Sequence, residues 1–388
     1  MTPEQRAAAL AEQLVGEGHL VSAWRPAFEH VQRHLFLPDR IWLQDDTGPY
    51  RAVDRDTDPD RWWAAAYSDQ PVVTQVDDGA DADASTEPSS SASMPRVVAR
   101  MLRQLDAQPG MTILEIGTGT GYNAALLAHR LGDQNITSIE VDERIAQQTR
   151  NALAAAAVHP HVATGDGAQG WPDRAPYDRI IATCAVHDIP PAWLAQTRPG
   201  GIIVTPYGTT MVNGALLKIT VQDADHATGR VVDDAAFMWM RSQRPFRDVM
   251  AHVGHGTPDT STSKTDPQLL GDSDALLAIG LTVPGCRYSV GWGHGDQAGE
   301  FTLWLADGDG SWASVDYEPG TDEYTVEQAG PRRLWGEIEG ALRWWEDAGR
   351  PERTRLGIRF DHGQQTPFLD DPAQSLPVAP EASTEGAG

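Results

Sequence analysis

The run Leu114-Glu115-Ile116-Gly117-Thr118-Gly119-Thr120-Gly121-Tyr122 constrains this chain more than any other, because an apolar strand pattern ends in three alternate glycines and a helical pattern begins at once. A strand, a glycine turn and a helix in that order form a nucleotide cradle: residues without Cβ let backbone amides approach a ligand, and the helix beginning near Tyr122 offers its N-terminus. Glycine spacing alone is a common pattern, and context narrows it. Roughly twenty residues on, a second apolar strand, Ile136-Thr137-Ser138-Ile139, ends in Glu140, where a carboxylate meets a ribose diol. A third element, Gly165-Asp166-Gly167, follows His161-Val162-Ala163 and offers Asp166 to an adenine edge. With Glu115 just before the glycines, this order favours S-adenosyl-L-methionine over NAD. The expected cofactor contacts are Glu115, Gly117, Thr118, Gly119, Gly121, Glu140, Asp166 and Gly167, with Tyr122 either lying along the cofactor or packing.

Around this motif the pattern is α/β. Expected strands at 112-116, 136-140, 178-182, 201-206 and 215-221 alternate with helices near 122-131, 143-157 and 190-197, the signature of a parallel sheet covered on both faces. Helical spacing also marks 3-17, 22-31 and 95-105, while 51-63 reads as polar and irregular. The expected division is an N-terminal helical, substrate-side segment (1-75), an acidic serine-rich lid or loop (76-92), a cofactor-binding core (93-250) and a polar linker (251-268). A C-terminal α+β module (269-370) and a disordered tail (371-388) complete it. In that module strands are expected at 287-292, 299-305, 312-317, 323-328, 354-360 and 365-369, with a helix over 331-348.

Composition excludes several classes. A chain of 388 residues with 40% hydrophobic content fills more than one core. A formal charge of −25, without a basic stripe, leaves nothing to neutralise phosphates, so no nucleic-acid partner is expected. A neutral or cationic peptide suits that field better. Cys184 and Cys286 stand far apart, which argues against a disulfide framework and for a reducing cytoplasm. No apolar run approaches membrane-spanning length and the N-terminus lacks an apolar signal core, so a soluble, cytoplasmic monomer without a membrane partner is expected. His159 with His161, and His252 with His255, have tempting spacings but no accompanying ligands in register, and no metal is expected.

Further segments carry a resemblance. Ala27-Phe28-Glu29-His30-Val31 with Arg33-His34-Leu35-Phe36-Leu37-Pro38, Tyr67-Ser68-Asp69-Gln70-Pro71, Ser93-Met94-Pro95 with the helix after it, Tyr177-Asp178-Arg179-Ile180-Ile181 and Arg198-Pro199-Gly200-Gly201 follow one another as in protein-L-isoaspartate O-methyltransferases. Residues 1 to 240 resemble that family of class I methyltransferases. The resemblance implies a Rossmann-like α/β sheet of seven strands with N-terminal helices, here followed by a C-terminal α+β extension domain. The chain departs from the family twice. An acidic, serine-rich stretch over 75-92 replaces a short Gly-Gln-Thr-Ile run, and about 140 residues follow the family's usual end. This extended form resembles actinobacterial methyltransferases that accompany ribosomally made peptides, alongside ATP-grasp enzymes (graspetides) or lanthionine-forming ones (lanthipeptides).

A peptide carboxylate is already ionised near neutral pH, so methyl transfer to it needs alignment and exclusion of water more than a base, and proximity alone is worth roughly 7 to 11 kcal/mol. On the resemblance, Ser93 takes the place of the family's loop serine, contacting the substrate carboxylate or the methionyl end of the cofactor. Ser91 or Ser90 stands in if the insertion shifts the register. His187, after the fourth strand, is a candidate substrate contact, with loop packing as the plainer reading. Three functions follow: methylation of an aspartate side chain in a modified precursor peptide, whose ester collapses to a succinimide (aspartimide); repair of isoaspartyl residues in damaged proteins; and a non-catalytic protein that keeps the fold. The first is the expectation.

Overall fold

The computed structural model describes residues 1–45, 48–80 and 82–379. At its centre lies a nine-stranded sheet in the order 364–369, 356–361, 226–234, 213–221, 197–208, 177–182, 113–116, 136–140, 161–164. The last five strands of that order run parallel, and the first four join them as antiparallel neighbours. Alternate residues of the parallel strands feed two cores, as a pleat requires. Ile113, Ile136, Ile181 and Val204 pack with Leu10, Leu14, Phe28, Leu102 and Leu126 from the helices Pro3–Gly16, Arg25–His30, Pro95–Leu105 and Tyr122–Leu131. Leu114, Ile139, Ile180 and Ile203 pack with Trp193 and with Leu277 of the helix Ser273–Thr282. The expected α/β class and the expected helices at 3-17 and 95-105 are present, and Thr2 closes the first with a capping box to Gln5.

The N-terminal segment differs from a purely helical one. Strands Tyr50–Asp54, Arg40–Leu43, Val72–Val76 and Pro88–Ala92, with the short Ala84–Ser85, form an antiparallel sheet, and a helix, Pro59–Ala66, occupies part of the stretch read as irregular. Its signal is carried by few residues: Asp58 caps the helix, and Trp62 is fully buried against Ile41, Val53 and Val72. The acidic lid over 76-92 is thus largely paired backbone, with Val72–Val76 as the partner of Pro88–Ala92.

The C-terminal half differs from expectation in four places. The polar linker holds a strand, Asp259–Ser263, that hydrogen-bonds along Tyr324–Ala329 at the edge of a second five-stranded antiparallel sheet. An edge strand exposed on most of its residues needs no apolar alternation, which is why Asp-Thr-Ser-Thr-Ser reads as a loop. The helix Ser273–Thr282 has no periodic signal in the sequence, because every residue from Ala275 to Thr282 is buried, as in a helix enclosed on all sides. Finally, Leu356–Asp361 and Gln364–Leu369 do not close the C-terminal module; they extend the central sheet, so that sheet has nine strands and not seven. Gly357 permits the join, since a Cβ there would stand 2.5 Å from the Gly229 carbonyl oxygen. The expected frayed tail packs as far as described: Leu376 is buried and the Ala379 N–H donates to the Thr282 carbonyl. Residues 380-388 lie outside the described part.

Candidate active site

The parallel strand Ile113–Ile116 runs into three glycines with φ of +86° (Gly117), +53° (Gly119) and +91° (Gly121), a left-handed path that side chains resist. The N–H groups of Gly117 and Thr118 both donate to the Ile139 carbonyl, 2.9 and 3.0 Å away, which ties the turn to the neighbouring strand. A Cβ at Gly121 would meet Thr149 Cγ2 at 2.6 Å. Glu140 ends that neighbouring strand: its Oε2 accepts from the Gly119 N–H (2.9 Å) and its Oε1 from the Asp142 N–H (3.1 Å). Burial raises its pKa, against the pull of these two donors and of Arg241. Asp166 caps a short turn through the Ala168 N–H at 2.9 Å. Gly117, Thr118, Gly119, Tyr122, Glu140, Asp166 and Gly167 all line one cavity of about 1150 Å³.

The cavity continues past Ser90, Ser91 and Ser93 toward Arg96, Arg100, Asn213, Phe237, Ser273 and Arg353. The serine loop owes its place to Arg33. This fully buried guanidinium donates from Nη1 to the carbonyls of Ala65 (3.4 Å), Ala66 (3.2 Å) and Ser68 (3.1 Å), and from Nη2 to those of Gln70 (3.0 Å), Ala92 (3.2 Å) and Ser93 (3.1 Å). Burial lowers its pKa to about 10, so it stays charged at neutral pH. Asp69 adds a second tie, accepting from the Arg96 N–H (2.8 Å) and pairing with the Arg96 side chain (2.6 Å) where the helix Pro95–Leu105 begins.

The acidic segment is pinned across the donor end. Asp78 takes both Arg244 terminal nitrogens (2.9 and 3.0 Å), Glu87 pairs with Arg247 (2.8 Å), and Arg241 reaches Asp142 (3.1 Å). Carboxylates that look like a solvated run in sequence are the counter-ions of a basic strap beside Met240.

The comparisons with known proteins agree with this geometry. The family described as Protein-L-isoaspartate(D-aspartate) O-methyltransferase (PCMT) matches residues 49–244. The chain belongs to that family. A protein-L-isoaspartate O-methyltransferase of Anaeromyxobacter dehalogenans is 35% identical over 196 residues, covering 50% of this chain and 84% of that protein. One from Hyperthermus butylicus is 31% identical over 225 residues, 55% of this chain and 80% of its own length. A solved structure named protein-L-isoaspartate O-methyltransferase shares 19% identity and the fold, with a TM-score of 0.52 over 92% of this chain and 97% of that one. The fold is that of class I methyltransferases, and the chain is an S-adenosylmethionine-dependent protein carboxyl O-methyltransferase.

The donor end fits that cofactor. Its left-handed glycines leave the cradle open, its carboxylates suit ribose hydroxyls and an adenine amino group, and Asn123 Oδ1 is a buried acceptor in the cavity wall without a hydrogen-bond partner among the described residues. Three expected contacts are corrected. Gly121 is not among the residues lining the cavity; it packs beside Thr149, Leu153 and Phe36. Glu115 does not line the cavity: it is fully buried beneath the loop, takes a hydrogen bond from Asn123 (2.7 Å) and another from Ser138, and burial pushes it up to about 7. Ser138 in turn meets Thr118 Oγ1 at 2.7 Å, so Glu115 acts on the turn through its neighbours. His187 is not among the lining side chains either; its N–H donates to Gln243 and its ring stands edge-on to Trp239, which does line the cavity. Tyr122 lies in the wall yet packs on Phe28 and Phe36, so both readings of it apply. Sequence pattern assigns no role to Arg33 or Asp69, because a lone Arg before an apolar run gives no sign that it is buried. Asn123, in the first turn of the helix after the glycines, carries no sequence signal either.

Proposed function

We propose that this enzyme methylates the free carboxylate of isoaspartyl residues in peptides and proteins, with Glu140 and Asp166 holding the nucleoside of S-adenosylmethionine and Ser93 at the acceptor. The reading is carried by the unbroken cavity from the glycine turn past Ser93, in a chain whose relatives bear that name. When bound, the cofactor supplies an electrophilic methyl group. The protein's task is alignment. Gly119 and Glu140 fix the donor end through one shared hydrogen bond, and Arg33 fixes the Ser93 carbonyl, hence the hydroxyl's position. No side chain is asked to remove a proton, since the acceptor arrives as an anion. Cys184, in the cavity wall, has its thiol pushed up to about 12 by burial, so it stays protonated and does not compete for the methyl group.

The ester is an electrophile beside a backbone amide. The following residue's nitrogen attacks the ester carbonyl, loses its proton and expels methanol, leaving a succinimide. Mass spectrometry of an isoaspartyl peptide should show one added methyl and then spontaneous loss of methanol; a peptide that gains no methyl would overturn the proposal. A second reading assigns the same chemistry to an ordinary aspartate of a ribosomally made precursor, with the succinimide as end product. Its support is that Ser273 and Arg353, beyond the family match, line the far part of the cavity. The extension itself speaks less for it, because a structure bearing the isoaspartate name overlaps 92% of this chain. Methyl incorporation into an ordinary aspartyl precursor, with none into the isoaspartyl peptide, would favour this second reading.

A further inference from the structure

Away from the cavity, the tips of two neighbouring hairpins in the central sheet bring together side chains distant in sequence. His226 opens the strand His226–Asp234 and Asp361 closes Leu356–Asp361; the two are register partners, and His362 follows in the turn to Gln364–Leu369. His226 Nε2 is 3.6 Å from Asp361 Oδ1, and His362 Nε2 is 3.9 Å from the same oxygen. One ligand atom from each of the three residues falls within 4.8 Å of the others. These gaps are too long for hydrogen bonds, yet close to the roughly 3.4 Å that separates ligand atoms around a tetrahedral ion with bonds of about 2.1 Å.

The surroundings orient the ligands. Asp223 lies 2.8 and 3.0 Å from His226 Nδ1 through its two oxygens, which places the proton on Nδ1 and leaves the Nε2 lone pair facing Asp361. A carboxylate behind an imidazole in this way is the usual partner of a metal-bound histidine. Asp223 is itself held by the N–H groups of Asp225 and His226, both at 2.9 Å. His362 sits at φ +46° with its N–H donating to the Asp225 carbonyl (3.0 Å), so one turn fixes the other. Asp225 Oδ2 stands 3.9 Å from His362 Nδ1, a further oxygen at the rim.

We propose that His226, Asp361 and His362 bind a divalent transition-metal ion of the zinc type, clipping the hairpin at 213–234 to the hairpin at 356–369. Two imidazoles with a carboxylate suit zinc and not magnesium or calcium, whose preference is for oxygen. None of the three residues lines the methyl-transfer cavity, so the clip acts on the sheet and not on the reaction. It differs from the expectation of no metal, which rests on the pairs His159 with His161 and His252 with His255.

The test is calorimetry and thermal unfolding of tag-free, chelator-treated full-length protein with zinc chloride and, separately, magnesium chloride. The expected result is one zinc ion per chain, a midpoint raised by several degrees, and no response to magnesium. His226→Ala and His362→Ala, both at exposed positions, should each weaken zinc binding at least about tenfold. His30→Ala, at a histidine pair elsewhere, should leave it unchanged, and methyl transfer should stay at the wild-type rate in all three. Absence of saturable zinc binding, or unchanged affinity in the doubly substituted protein, would overturn the site.

Discussion

The two ends of the cavity are built on opposite principles. At the donor end the backbone does the holding: three left-handed glycines, two N–H groups on one carbonyl and one carboxylate spanning Gly119 and Asp142. All of it comes from one strand-turn-helix and the strand beside it. At the acceptor end a single buried guanidinium gathers six carbonyls from two stretches of chain, 65–70 and 92–93, and Asp69 with Arg96 anchors the helix that follows. The lesson is one of tolerance. A backbone cradle loses affinity by degrees when one contact goes, whereas a charge-centred hub leaves many groups unpaired at once.

The sharpest way to break this contrast is Arg33→Met. Removing the hub should cost about 3 to 5 kcal/mol of stability, read by urea unfolding, and should raise KM for an isoaspartyl peptide more than the Kd for S-adenosylhomocysteine. A loss under about 1 kcal/mol would mean that the six carbonyls find other partners. Next comes Ser93→Ala, expected to lower turnover about ten- to a thousandfold with cofactor affinity kept; wild-type turnover would make Ser93 a bystander. Glu140→Ala should act in reverse, weakening S-adenosylhomocysteine by about tenfold to a hundredfold in calorimetry, the worth of hydrogen bonds to a charged acceptor. An unchanged Kd would remove Glu140 from the donor site.

The smallest effect tests the layer beneath the loop. Glu115 has a folded pKa of about 7, above that of an unfolded glutamate, so its contribution to stability is present at low pH and fades as pH rises through 7. Between pH 6 and 7.5 the wild type should lose about 1 kcal/mol that Glu115→Gln does not lose. Parallel pH profiles for the two proteins would contradict a raised Glu115.

The same contrast explains what the sequence made legible. The donor end could be read because its parts lie close together and its glycines have one use. Gly117, Thr118, Gly119, Glu140, Asp166 and Gly167 line the cavity as expected; Gly121 and Glu115 do not, and Glu115, two residues before Gly117, is fully buried in the core. The acceptor end needed contacts between residues 33, 65–70 and 92–96, which no local pattern encodes. For the same reason strands 356–361 and 364–369 looked like part of the C-terminal module: alternation shows that a strand exists but not which sheet it joins. The helix Ser273–Thr282 and the strand Asp259–Ser263 were hidden at opposite extremes, one too apolar to show a face and the other too polar to show one.

The most direct test of the functional account is a competition assay with methyl-labelled S-adenosylmethionine and two peptides that differ only in carrying isoaspartate or aspartate at one position. The account predicts label in the isoaspartyl peptide, with kcat/KM at least about a hundredfold above the aspartyl one, as binding contacts to a single carboxylate allow. Equal labelling of both, or label in the aspartyl peptide alone, would contradict it.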